Sequence, residues 1–282
     1  MQGLALIIKE IEEDITKDLS RCGLLFRIFS RVKSRHSIQD KINLKKDKYR
    51  SNNEKMQDLL GLRITLYFSD DVDMLYTFLR SKKEFVSESK DPIEIDKFCP
   101  QRLNLIMRIP DNRKKDFSEI VSDIDSYDLI DDTYEIQIRT VLSEGWHEVE
   151  HNMRYKCKKE WNELEQESRA LNGIYATLET SDYTLRNLFN DISYKQYKAH
   201  NYSGMIRNKL RFKLQDLSND LLEIFNTDDN IIKRIFKLDR KDLLYKLVNS
   251  ELRMPITFNN ICFLCNYLYI HDERITQLTP SF

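Results

Sequence analysis

Arg31, Lys33, Ser37 and Lys41 place three cations and a hydroxyl in one short basic stretch. On a helix, Ser37 and Lys41 stand four apart and share a face. Asp58 precedes Arg63 by five residues, and Glu135 lies in a separate segment. A nucleoside triphosphate site needs cations for the phosphates, carboxylates for a metal and a flat group against the base. Two carboxylates from different elements can hold one Mg²⁺ together with phosphate oxygens. An arginine guanidinium can stack on adenine. Taken singly, each residue has an ordinary alternative: basic residues on a helix are usually solvated, and an aspartate before a strand usually caps or turns the chain.

The elements that must hold these residues follow from periodicity. Residues 4–28 carry Leu4, Ile7, Ile8, Ile11, Ile15 and Leu19 at helical spacing, which predicts an amphipathic helix. Ser34 and Ser37 are each suited to begin a following helix. Residues 62–68, 102–109 and 134–139 alternate apolar with polar and predict three strands. Arg63, Glu135, Gln137 and Arg139 then fall on a polar face, a plausible floor for a phosphate site and equally compatible with a solvated face. From residue 140 onward the pattern is helical, with breaks expected at Asn172, Gly173 and residues 226–230.

Composition narrows the class. The chain has 282 residues, with 45 Lys and Arg against 46 Asp and Glu, which argues against disorder and against a purely electrostatic DNA binder. No apolar run reaches the roughly 18 residues of a membrane span. The start turns acidic too soon for a secretory signal. Five scattered cysteines do not form a disulfide framework, so a cytoplasmic protein is expected.

Four blocks in order resemble the synthetase domain of the RelA/SpoT family: R-x-K-S-x-x-S-x-x-x-K at 31–41, D-x-x-G-x-R at 58–63, E-I-Q-I-R-T at 135–140 and W-x-x-x-E-H-x-x-x-Y-K at 146–156. The resemblance implies an α+β fold, a mixed sheet of the nucleotidyltransferase-like type with helices, followed by a helical C-terminal region. It divides the chain into an N-terminal helix (1–28), a synthetase domain (29–157) and a helical region (158–282). It implies ATP-dependent, Mg²⁺-dependent pyrophosphate transfer to a 3′-hydroxyl, with guanosine tetra- or pentaphosphate as product. By the same resemblance, Arg31 and Arg63 sandwich adenine, and Lys33, Ser37 and Lys41 contact phosphates. Asp58 and Glu135 bind the metal, and Lys33 and Arg63 act with them in catalysis. Gln137, Glu150 and His151 are implied on the acceptor side, while Trp146, Tyr155 and Lys156 brace the helix.

The acceptor loop departs from the family. A loop resembling G-Y-x-S-x-H is expected before the middle strand, and DKFCPQRLNLI (96–106) stands there instead. Phe98 can take the aromatic place, with Pro100 and Arg102 replacing serine and histidine. The 3′ end of tRNA is therefore the alternative acceptor, with the chain as a toxin or phage-defence factor. An antitoxin or regulatory protein and a homo-oligomer are the partners considered, and no membrane. The segment from Tyr194 to Lys213 mixes tyrosines with cations and would suit single-stranded RNA. A helix with solvated lysines and half-buried tyrosines is the preferred reading there.

Three other motifs bear on function. His147, Glu148 and His151 form H-E-x-x-H, which on a helix can bind zinc for a metallopeptidase. It lacks an evident third ligand, and the W-x-x-x-E-H block accounts for the same residues. Cys262 and Cys265 are expected in the core. His271 and Asp272 resemble a metal pair of the family's hydrolase domain, without its other ligands, so no hydrolase activity is expected. A catalytically dead module is disfavoured by the presence of both Asp58 and Glu135.

Overall fold

A computed structural model of the chain describes residues 1–44, 49, 54–92, 98, 101–212, 217–250 and 254–280. Pro100 and Lys213 lie outside them. Contacts divide the chain into two units. The first comprises Met1–Lys17, Phe26–Tyr67 and Leu75–Thr180, and the second Asp18–Leu25, Phe68–Met74 and Ser181–Phe282.

Alternation builds the first unit. Its strands are β1 (Phe26–Val32), β2 (Leu60–Leu66), β3 (Phe85–Lys90), β4 (Leu103–Arg108) and β5 (Thr133–Thr140). They form one five-stranded sheet in the order β1-β2-β5-β4-β3. Only β2 and β5 run parallel; the other pairs are antiparallel. Leu62, Ile64, Leu105, Met107, Ile136 and Ile138 are all buried. Successive residues face opposite ways, so Arg63, Glu135 and Gln137 share the other face. Register aligns them: Phe29 pairs with Arg63, Arg63 with Gln137, and Gln137 with Asn104. One row over, Arg31 pairs with Gly61 and Gly61 with Glu135.

Helix α1 (Gln2–Ser20) buries Leu4, Ile7, Ile8, Ile11 and Ile15, as its spacing predicts. It lies close to α4 (Asp111–Ser122): a Cβ on Gly3 would come within 2.5 Å of Ile120 Cδ1. Arg113 of α4 fastens the two by bonds to Glu10 and Asp14. Helix α2 (Arg35–Leu44) starts after Ser34, whose Oγ accepts from the Ser37 amide at 3.2 Å. Of the two candidate caps, Ser34 does the capping and Ser37 sits in the first turn. Helix α3 (Ser69–Ser81) follows β2, and α5 (Val141–Val149) follows β5 with no loop. The Thr140 and Ser143 side chains cap each other's backbone amides at that junction. A π-helical turn (Glu150–Tyr155) continues α5.

Two expectations require correction. The helix expected over 4–28 ends at Ser20. Gly23 takes the left-handed conformation (φ 68°), which an L-residue resists, and the alternating Phe26–Val32 turns to strand. The break expected at Asn172 and Gly173 is absent. Helix α6 (Glu165–Lys198) runs through both, since one glycine in a long helix costs only about 1 kcal/mol.

The second unit is helical: α7 (Tyr202–Leu210), α8 (Asn219–Thr227), α9 (Asp229–Lys237), α10 (Arg240–Asn249), α11 (Phe258–Cys265) and α12 (Glu273–Leu278). The break expected at 226–230 is real, with Asp228 capping α9 through its bond from the Asn230 amide. Tyr202, Phe225, Leu243 and Phe258 are central to its core, and Cys262 and Cys265 are buried as expected. The tyrosine and lysine segment is largely structural. Tyr202 is buried, Arg211 is paired with Asp70, and Tyr197 stacks on Phe236 at 5.4 Å. Among the described residues, no helix is long and apolar enough to cross a membrane.

Candidate active site

The polar face of the sheet and the α5 end enclose two adjoining clefts, of about 180 and 470 Å³, that share Arg31, Arg63, Gln137, Glu148 and His151. Glu135 lines the smaller. Glu150, Arg102, Asn104 and Tyr155 line the larger.

Glu135 is held from both sides. Asn104 Nδ2 donates to one carboxylate oxygen at 2.9 Å, and Gln137 Nε2 donates to the other at 2.9 Å. A carboxylate has about four lone-pair sites, so acceptor capacity remains toward the cleft. Gln137 is oriented in turn by Arg63, whose Nε donates to its Oε1 at 3.2 Å. Arg63 also donates to Glu144 at 2.7 Å and to Glu148. Burial works against its charge, but these carboxylates outweigh burial and hold the guanidinium protonated. Arg31 is exposed, and its side chain passes over Gly61, where a Cβ would lie 3.5 Å from Arg31 Nε.

A second cluster stands at the entry to β2. Lys33 Nζ lies 3.0 Å and Lys41 Nζ 2.6 Å from Asp58 Oδ2. Burial opposes ionisation of Asp58, yet the two lysines outweigh it and hold the carboxyl below its usual range. The other oxygen, Oδ1, is buried with no hydrogen-bond partner among the described residues. Asp58 precedes by three residues the glycine that pairs with Glu135, roughly 10 Å of extended chain. Lys33, Lys41 and Asp58 therefore meet each other but are not in the lining of either cleft, and neither is Ser37.

On the acceptor side the placements differ. His151 lies in both clefts and stacks on Tyr155 at 5.7 Å. Burial, Lys156 and Arg31 hold it below its usual pKa. Phe98 is 51 % exposed and lines neither cleft. Arg102 is clamped by Asp91 through two bonds of 2.9 Å. Of the three residues expected to brace the helix, Trp146 does so: it is buried, bonds the Leu171 carbonyl at 2.7 Å and packs on Tyr175. Tyr155 and Lys156 are exposed and line the clefts instead, because the π turn carries them round past the sheet.

The H-E-x-x-H residues part company. His147 is buried against Trp146 and Tyr175, and burial with nearby Arg139 and Arg63 lowers its pKa to about 4. Glu148 is engaged by Arg63. No three His, Cys, Asp or Glu side chains among the described residues gather where they could hold a metal.

Sequence reasoning missed Asn104, Glu144 and the Arg63 contact of Glu148. Asn104 carried a signal, since it alternates with the apolar residues of β4.

Residues 30–160 match the family described as the region found in RelA / SpoT proteins. GTP pyrophosphokinase YjbM of Bacillus subtilis (strain 168) is 32% identical over 105 residues, covering 36% of this chain and 44% of that relative. The chain thus aligns with less than half of that relative's length. The crystal structure of smu.1046c from Streptococcus mutans UA159 superposes with a TM-score of 0.51 at 24% identity, covering 69% of this chain and 96% of that one. The sheet and its flanking helices share that protein's fold, and residues 30–160, just under half of the chain, are similar to the region found in RelA / SpoT proteins.

Proposed function

We propose that this chain is a nucleotide pyrophosphokinase that moves pyrophosphate from ATP to the 3′-hydroxyl of a guanosine nucleotide. The observation that carries this reading is Glu135, fixed by Asn104 and Gln137 on a cleft floor beside Arg31 and Arg63. The likeness to a GTP pyrophosphokinase supports it.

Arg31 and Arg63 offer two guanidiniums to the adenine of ATP. Lys33, Lys41 and Ser37 offer cations and a hydroxyl to its phosphates. The acceptor oxygen attacks the β-phosphorus, the bond to the α-phosphate oxygen breaks, and AMP leaves. Glu135 takes the hydroxyl proton. Such a transfer depends on alignment and charge neutralisation more than on covalent help from the protein. Hard carboxylate oxygens suit Mg²⁺. The free lone pairs of Glu135 fit it, and Asp58, which lies outside both clefts and holds Lys33 and Lys41, would join it only once those lysines turn to the phosphates; once bound it would neutralise phosphate charge.

A second acceptor, the 3′ end of tRNA, is favoured by one feature: Arg102 stands where the family's loop has histidine and is tied to Asp91. Purified protein incubated with Mg²⁺, ATP labelled in its β- or γ-phosphate, and GDP, GTP or deacylated tRNA separates the two. Label in the guanosine nucleotide is expected. Label on tRNA alone would replace the first acceptor by the second, and label on neither would overturn both.

Phe98 bears on the same question. Exposed, it is available to stack on an acceptor base. Phe98→Ala is expected to raise the acceptor KM roughly tenfold, the scale of one lost base stack, with little change in the KM for ATP. Equal effects on both substrates would remove Phe98 from the acceptor site.

A further inference from the structure

Glu144 stands in the first turn of α5, its side chain 17% exposed between two guanidiniums. Oε1 accepts from Arg63 Nη1 at 2.7 Å, and Oε2 accepts from Arg139 Nη1 at 3.2 Å. Glu148 meets the same Arg63 nitrogen. Two arginines and two glutamates thus form a group without net charge in the cleft wall. Like charges this close repel strongly in a partly buried site unless a counter-charge lies between them. Elsewhere in the smaller cleft the cations are less compensated. Lys156 Nζ bonds the neutral Asn152, and Arg31 has no ion pair among the described residues.

We propose that Glu144 is a positioning residue: it clamps Arg63 and Arg139 and cancels their charge, so that Arg63 presents a flat face to a nucleobase and does not compete for the anionic phosphates. The nucleotide's identity rests on the transferase reading; the clamp itself rests on the two hydrogen bonds. A guanidinium held at its edges by carboxylates keeps its planar surface free for stacking. An uncompensated one would draw phosphate instead.

The full-length chain is compared with Glu144→Gln and Glu144→Asp for binding of ATP and of inorganic tripolyphosphate. Glu144→Gln is expected to weaken ATP about tenfold, on the scale of one lost charge-assisted hydrogen bond, and to tighten tripolyphosphate several-fold. The KM for ATP should rise while kcat changes about twofold at most, and Glu144→Asp should recover part of the loss. In an Arg63→Ala background, Glu144→Gln should no longer affect ATP binding. Parallel weakening of both ligands, or an unchanged ratio between them, would overturn the clamp and leave Glu144 a structural residue. A wild-type chain that binds ATP but transfers nothing would overturn the transferase reading, and the binding ratio would still decide the clamp. A wild-type chain that does not bind ATP would overturn both.

Discussion

On the proposed function, Asp58→Ala and Glu135→Ala are each expected to lower pyrophosphate transfer by on the order of a thousandfold, the scale of losing a preorganised charge at a reacting phosphate. The two losses differ in their side effects. Asp58 bridges Lys33 and Lys41, all three side chains being at most one quarter exposed. Its removal leaves two ammonium groups facing each other and costs about 1–3 kcal/mol of stability. The carboxyl is held below its ordinary pKa, so its contribution is present above the unfolded-state value. It disappears as pH falls through the lower, folded value. Wild type and Asp58→Ala should therefore converge in stability in strong acid and differ most near neutrality. Glu135→Ala leaves the Asn104 and Gln137 amides without their shared acceptor, but both can turn to cleft water, so the fold should suffer less. Asp58→Asn separates charge from shape: it keeps a carbonyl oxygen for one lysine and loses the anion. Transfer measured with labelled ATP should fall nearly as far as in Asp58→Ala. Near-normal turnover in a folded Asp58→Asn protein would sink the assignment of Asp58 to metal binding.

How far the fold could be read from sequence depended on whether a strand had two unlike faces. β5, β4 and β2 each alternate a buried apolar residue with a polar one, and each was located to within about two residues. β1 was not legible because the helix expected over 4–28 overran its first residues and Arg31 to Val32 fell in a basic stretch, and the strand is only half buried. β3 has no apolar face: from Val86 to Lys90 it is exposed throughout, so nothing in Val-Ser-Glu-Ser-Lys marks a strand. The site divides in the same way. Arg63, Glu135 and Gln137 were legible because alternation alone puts them on one face. Asn104 needed the register of β4 on β5, and Glu144 needed the turn of α5 that follows β5 directly. In the sequence Glu148 reads as part of a zinc motif. Only the fold reveals that its neighbour in space is Arg63, distant in sequence.

Arg240→Ala should be the most damaging substitution in the helical unit, costing about 3–5 kcal/mol, because it strands a buried carboxylate. Asp71 is 0 % and Arg240 7 % exposed. Both terminal nitrogens of Arg240 meet the two Asp71 oxygens, and Nε donates to the Leu210 carbonyl at 2.7 Å. Arg211 beside them is occupied by Asp70 and lies 4.5 Å over the Phe68 ring, so it is poorly placed to substitute. Burial pushes the Asp71 carboxyl above its ordinary range even with Arg240 facing it. Without Arg240 it should rise further. A raised folded-state pKa gives stability that is fully present below the unfolded value and lost as pH rises through the folded one. Arg240→Ala should thus be least harmful in mild acid and most harmful at neutral pH, the same trend as for Asp58→Ala but arising from a carboxyl whose pKa is raised, not lowered. Denaturant unfolding of the helical unit at several pH values, read by near-ultraviolet dichroism, would detect this. The paired replacement Asp71→Leu with Arg240→Leu removes both charges and should recover much of the loss, since burying neither ion avoids both desolvation costs. If the double variant is as unstable as Arg240→Ala, the damage lies in lost packing around Leu210 rather than in an unpaired charge.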